Sequence, residues 1–156
     1  MHCMRYRAAA VPLCLILAAG CSATYVREPL AVSTEAWEMT LVKLVAGPDQ
    51  YWTAGGYRRP GEGKRYVWAT MRLRNGLKTP LVIRLDRIFM NAGGTRRRPC
   101  IIDADCFITV QANPAPKLGP GESITRRLAY MLPRGVEPER LTCETGVIVI
   151  PARAGR

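Results

Sequence analysis

From Arg65 to Asn75 apolar and polar residues alternate. Val67, Ala69, Met71 and Leu73 fall on one side, and Tyr66, Trp68, Thr70, Arg72 and Arg74 on the other. A period of two describes a strand with one face on a core and one toward water. Asn75-Gly76 ends the pattern as a turn. The same reading predicts a strand over Trp37–Val45, with Trp37, Met39, Leu41 and Val45 on one face and Gly47-Pro48 as its stop. Further strands are predicted at Pro80–Leu85, Ile88–Asn91, Cys106–Gln111 and Ser123–Pro133. In the last of these Ile124, Leu128, Tyr130 and Leu132 share a face that Arg126 interrupts. Pro138-Glu139-Arg140 reads as one short helical turn, and Leu141–Cys143 with Gly146–Ile150 as a final strand or pair. No segment carries ten residues of helical periodicity. Short strands separated by turn signals predict an all-β sandwich or barrel.

Two stretches fall outside this pattern. Asp49–Lys64 is a Gly- and Pro-rich loop with three aromatics, Tyr51, Trp52 and Tyr57. Loops of this length are uncommon without a use. Exposed aromatics there mark a contact site, whereas aromatics folded back cover one end of the sandwich; the second reading is preferred for Tyr51 and Trp52. Ser22–Glu35 has little periodicity and reads as a tether, whose 14 residues reach at most about 50 Å when extended.

The first twenty residues are different again. Arg5 and Arg7 precede Ala8–Gly20, a run of 13 residues without charge. That is short of the roughly 20 residues of a transmembrane helix and matches the apolar region of a signal peptide. It ends in Leu17-Ala18-Ala19-Gly20-Cys21. This pentapeptide resembles the lipobox of bacterial lipoproteins, with Leu17 one position early and Ala18 where leucine is more usual. The resemblance implies cleavage before Cys21 and lipidation of its thiol. Ser22 at the next position implies delivery to the outer membrane, on its periplasmic side. The chain is thereby divided into a signal peptide at 1–20, a flexible tether at 21–35, a β-sandwich domain at 36–151 and a disordered tail at 152–156.

A second resemblance covers roughly Trp37 to Cys143. It rests on the alternating strand that ends in Asn75, the apolar Leu81–Leu85 after a proline, and Leu118-Gly119-Pro120-Gly121-Glu122 ahead of a strand ending in Leu132-Pro133. In this order they resemble the small immunoglobulin-like domains of bacterial lipoproteins and secreted antigens, a group with no agreed activity. It implies an immunoglobulin-like β-sandwich of about seven short antiparallel strands.

Composition limits the chemistry. The only histidine, His2, lies in the leader. A mature chain without histidine excludes Ser-His-Asp and Cys-His catalysis and histidine-containing metal sites. No cofactor or metal is implied, and Met39, Met71, Met90 and Met131 read as core residues. Asp103 and Asp105 are the one pair of neighbouring carboxylates in a turn, and they read as partners of the nearby arginines. Of six cysteines, Cys100, Cys106 and Cys143 remain after the leader and the lipidated Cys21. An oxidising compartment predicts one disulfide. Cys100–Cys106 is preferred, with Cys143 as the alternative partner.

Without Arg5 and Arg7 the chain keeps 21 basic and 12 acidic residues, a net charge of +9. The charges are spread along the chain with no recognition motif, so nucleic acid is excluded as a partner. Arg96, Arg97 and Arg98 form the one basic run and are the candidate contact for an anionic group, set against a solvated loop. The sequence thus describes a lipid-anchored, non-enzymatic envelope protein, a structural or interaction module. Its partners are the membrane and an envelope protein or anionic envelope polymer. The alternatives are a periplasmic enzyme or enzyme regulator acting on cell-wall material, and an anionic-ligand module built on the arginines.

Overall fold

The structure, a computed structural model, describes residues 23–53, 56–104, 111–144 and 146–152. The expected signal peptide at 1–20, Cys21 and Ser22, Asp105, Cys106 with most of its expected strand, and the last four residues lie outside the described residues. The described strands are β1 (Thr24–Val26), β2 (Leu30–Ser33), β3 (Trp37–Ala46), β4 (Tyr51–Thr53), β5 (Gly56–Arg58), β6 (Lys64–Asn75), β7 (Leu81–Val82), β8 (Phe89–Ala92), β9 (Thr95–Arg97), β10 (Ile101–Asp103), β11 (Lys117–Leu118), β12 (Ser123–Pro133), β13 (Pro138–Thr142) and β14 (Val147–Val149). All pair antiparallel.

Two sheets form the sandwich. The larger runs β1-β3-β6-β12-β10, with β2 also on β3; the smaller runs β14-β13-β8-β9. Their facing residues make one core. Met39, Leu41, Leu44, Val67, Met71 and Leu73 line one side, and Met90, Leu141 and Ile148 the other. This confirms an all-β sandwich built of antiparallel strands.

Tyr130 shows how polar groups enter that core. It is fully buried on β12, and its hydroxyl donates to the Ile88 carbonyl at 2.9 Å. Burial raises its pKa far above the ordinary tyrosine value, so it stays a donor. Tyr130→Phe keeps the volume and leaves a buried carbonyl unmet. A loss of about 1–2 kcal/mol is expected in urea unfolding; an unchanged midpoint would mean the bond contributes nothing.

Five expectations are corrected. The tether is not a free linker: within it Thr24–Val26 and Leu30–Ser33 form β1 and β2, both paired to β3. Val26 is buried, and Tyr25, Leu30 and Val32 pack on the core. Burying these apolar side chains stabilises the segment as sheet rather than leaving it as a linker. Pro138–Arg140 is the start of β13 and not a helical turn. Proline is tolerated at the first residue of a strand, and Leu141 must reach the core. Pro80–Leu85 is a strand only at Leu81–Val82; a 3-10 turn follows at Leu85–Arg87. There Ile83 and Leu85 donate their N–H groups to the carbonyls of Pro116 and Pro114. Prolines have no N–H to return, so the ladder stops.

The fourth correction lies in β3. Its register slips between Leu41 and Lys43, and both Val42 and Lys43 are exposed. A bulge of one residue reverses the faces beyond it. Leu44 and Ala46 therefore continue the core face, and Val45 points to the outer face of the sheet. The fifth concerns Asp103. It is a buried residue of β10, opposite Arg127 in register, and not a turn residue.

Candidate interaction surface

The far side of the larger sheet is not all water-facing. Register places Thr24, Val45, Trp68, Ala129 and Ile101 in one row across five strands. Around this row Tyr51, Tyr66, Trp68 and Ala129 form a second buried cluster, with Val45, Ile101 and Met131 packed against it. What covers it is the hairpin β4–β5. Tyr51 lies on Trp68 with ring centroids 5.0 Å apart, and Tyr66 meets Trp68 edge-on at 6.0 Å. The indole N–H of Trp68 donates to the Pro48 carbonyl at 3.3 Å, which ties the hairpin's approach to the sheet. Asp49 adds a second tie by accepting the Tyr66 N–H at 3.2 Å, while its other oxygen takes Arg134 at 2.7 Å.

The predicted loop is therefore a hairpin whose aromatics divide. Tyr51 folds back as expected. Trp52 does not: it is 59% exposed, and its cross-strand partner Tyr57 is 54% exposed. Their ring centroids stand 3.7 Å apart on the outside of the hairpin. Arg58 and Arg59 follow directly and are exposed, and no acidic residue occurs between Tyr51 and Pro60. Two large exposed aromatics in contact, flanked by cations and seated on a rigid cluster, form an apolar patch with a basic rim.

The arginine run is placed differently. Thr95–Arg97 is the edge strand β9, paired to β8 with Arg97 opposite Met90 and Arg96 opposite Asn91. Side chains alternate along a strand. Arg96 and Arg98 go to one face, where their guanidinium carbons lie 3.5 and 5.8 Å from the centroid of the Phe89 ring. Arg97 goes to the face of Met90 and is half-buried. The three do not converge on a single point. An arginine turned inward on a sheet edge is a known guard against edge-to-edge pairing.

Asp103 pairs with Arg127, 3.6 Å from carboxylate to guanidinium. The Arg127 guanidinium carbon also lies 4.8 Å from the centroid of the Trp68 ring. Among the described residues no group of three or more His, Cys, Asp or Glu is placed to hold a metal ion.

The expected disulfide is not present among the described residues. Cys100 and Cys143 are free thiols at the margins of different sheets. Each turns its sulfur onto a backbone carbonyl, Cys100 onto Ala129 at 3.2 Å and Cys143 onto Gly146 at 3.3 Å. Burial raises the pKa of the Cys100 thiol. Cys106, its expected partner, is outside the described residues.

Reading from sequence missed the clamp at the other end of the sandwich. Asn75 is fully buried at the end of β6. Its amide nitrogen lies 2.8, 3.2 and 3.0 Å from the carbonyls of Thr79, Leu118 and Gly119, and its amide oxygen accepts the Leu77 N–H at 2.9 Å. The strand ending in Asn75 and the Leu118–Glu122 turn, noted as two separate features, are thus one hydrogen-bonded unit.

No protein-family model and no curated protein sequence matches the chain. Solved structures do resemble it. A conserved hypothetical protein from Bacillus anthracis superposes with a TM-score of 0.56 at 14% identity, over 78% of this chain and 90% of that one. An uncharacterized β-sandwich protein from Clostridium difficile gives 0.52 at 15%, over 75% and 85%. A Bacillus subtilis protein described as a "putative lipoprotein", ycdA, gives 0.52 at 10%, over 74% of this chain. This chain spans about a third of that protein's length, 33%. At such identities the likeness is one of fold, a β-sandwich.

Proposed function

We infer that this is a lipid-anchored cell-envelope protein whose β-sandwich is a non-enzymatic structural or interaction module. The observation that carries the reading is the position of β1. Ala23 already accepts the Ala46 N–H at 2.8 Å, and Thr24 opens the sheet. The lipobox cysteine is two residues before Ala23, so an anchor there can stand at most about 7 Å of chain from the sheet. Among the described residues, the buried amide and carboxylate side chains serve the fold: Asn75 holds a turn, and Asp103 pairs with Arg127. The Bacillus subtilis protein of like fold, described as a "putative lipoprotein", supports this placement. Residence on the periplasmic side of the outer membrane follows from Ser22 by the lipoprotein sorting pattern.

The test is intact-mass analysis of protein extracted from the envelope with detergent. A chain beginning at Cys21 and carrying acyl groups is expected. An N-terminus elsewhere, without lipid, would end the anchor reading. Cross-linking in the native envelope, followed by identification of the linked species, then names the partner.

A further inference from the structure

We propose that the Trp52–Tyr57 hairpin is a membrane-interface contact that seats the domain on an anionic lipid bilayer. The proposal rests on the anchor reading above and extends it from the chain terminus to a second surface.

Three observations converge on this occupant. The first is where the described chain starts. Thr24 pairs with Val45, and Val45 with Trp68, the residue on which the hairpin is seated. Adjacent strands are about 4.8 Å apart, so Thr24 is about 10 Å from the hairpin's platform. A lipid on Cys21, two residues before Ala23, brings the bilayer to this end of the sandwich. The second is the chemistry of the exposed pair. Tryptophan and tyrosine, apolar rings with one polar atom each, are the residues that settle at the membrane–water boundary. Here both are more than half exposed and touch one another. The third is charge. Arg58 and Arg59 extend the hairpin and Lys64 is exposed after them, against one exposed acid in that stretch, Glu62. Asp49 is engaged by Arg134, and Glu137 by Arg65 at 3.3 Å. Cations at the headgroup level are drawn to anionic lipid.

The rigid mounting makes the hairpin suited to this role. A free two-stranded hairpin is marginal in water. Tyr51 and the Pro48 carbonyl hold this one to Trp68, so its outer aromatics are presented in a fixed direction. Insertion then orders little that is not already ordered.

The test uses the envelope-extracted protein reconstituted into vesicles of mixed phosphatidylglycerol and phosphatidylethanolamine, or of phosphatidylcholine alone. Brominated acyl chains serve as the quencher of tryptophan fluorescence. Quenching of the wild-type protein in the anionic vesicles, absent in Trp52→Phe, is the expected result. Arg58→Ser with Arg59→Ser should lower the ratio of inserted to free hairpin roughly thirtyfold, and high salt should act the same way. The mass of the same sample reports the acyl chain separately. An acylated protein that floats with the vesicles while Trp52 stays unquenched overturns the proposal and leaves the anchor intact. Quenching of Trp52 in a protein without an acyl chain keeps the proposal and removes the anchor. Equal quenching in phosphatidylcholine, unmoved by salt or by the arginine variant, defeats the anionic-lipid assignment. A protein cross-linked in the envelope through position 52, with no quenching, shows that the patch serves a protein instead.

Discussion

Asn75→Ala is expected to lower the stability of the domain by about 2–4 kcal/mol, although it removes only a short polar side chain. The reason is the number of partners left behind. The amide faces three backbone carbonyls and one backbone N–H, and the residue is fully buried. The Leu118 carbonyl sits in the most enclosed of these contacts, and removing its donor incurs a desolvation penalty of about 1–3 kcal/mol. Thr79 and Gly119 are nearer water and recover part of theirs. Asn75→Asp should be worse, since it keeps the shape but turns the donor into a charged acceptor facing carbonyl oxygens. Burial would raise the pKa of that new carboxyl, so this variant should regain stability as pH falls and its donor is restored. Asn113→Ala is the control, because Asn113 accepts a single exposed N–H, that of Ala115. Urea unfolding followed by tryptophan fluorescence measures all three. An Asn75→Ala protein within about 0.5 kcal/mol of wild type would show that the clamp contributes nothing beyond an ordinary surface residue.

Trp68→Ala and Trp52→Ala are expected to part by several kcal/mol. Trp68 is buried on the outer face of the larger sheet, against Tyr51 and Tyr66 and beneath Arg127. Truncating a buried aromatic costs about 3–5 kcal/mol. Here it also removes the donor to Pro48 and the surface on which Tyr51 rests. The hairpin should then lose its order, and hydrogen exchange over residues 51–58 should speed up more than exchange in β12. Trp52 has no such support to lose, and its replacement should change stability by no more than about 0.5 kcal/mol. Equal effects of the two substitutions would contradict the division of this hairpin into a buried and a presented half.

The arginine run illustrates how pairing overrides adjacency. Arg96, Arg97 and Arg98 are consecutive, which in a loop would let three cations gather on one anion. In an edge strand, successive side chains take opposite faces, and the run is split around Phe89 and Met90. The same geometry governs β3, where one bulged residue moves Val45 from the core to the outer cluster. Neither a strand edge nor a bulge leaves a mark in the local pattern of residue types.

The segment at 24–33 did leave one. Tyr25-Val26 and the alternation of Leu30, Ala31 and Val32 are short strand signals, but each is below the length at which alternation alone is persuasive. They become strands because β3 is long enough to pair both, and because their apolar side chains reach the core. This correction joins the start of the described chain to the larger sheet itself.

What the chain alone determined is the part controlled by local period and covalent order. Alternation along β6 and β12 specified two long strands and their core faces. Proline and glycine marked most of the ends. What the tertiary structure decided is everything that depends on residues distant in sequence: that Asn75 clamps the Leu118–Glu122 turn, that Asp103 faces Arg127, and that Trp68 is roofed by Tyr51 while Trp52 is left outside. These contacts join positions 17 to 44 residues apart. Their selection depends on which side chains the closed sandwich buries together, a choice made by packing and by the pairing of buried polar groups rather than by any single stretch of sequence.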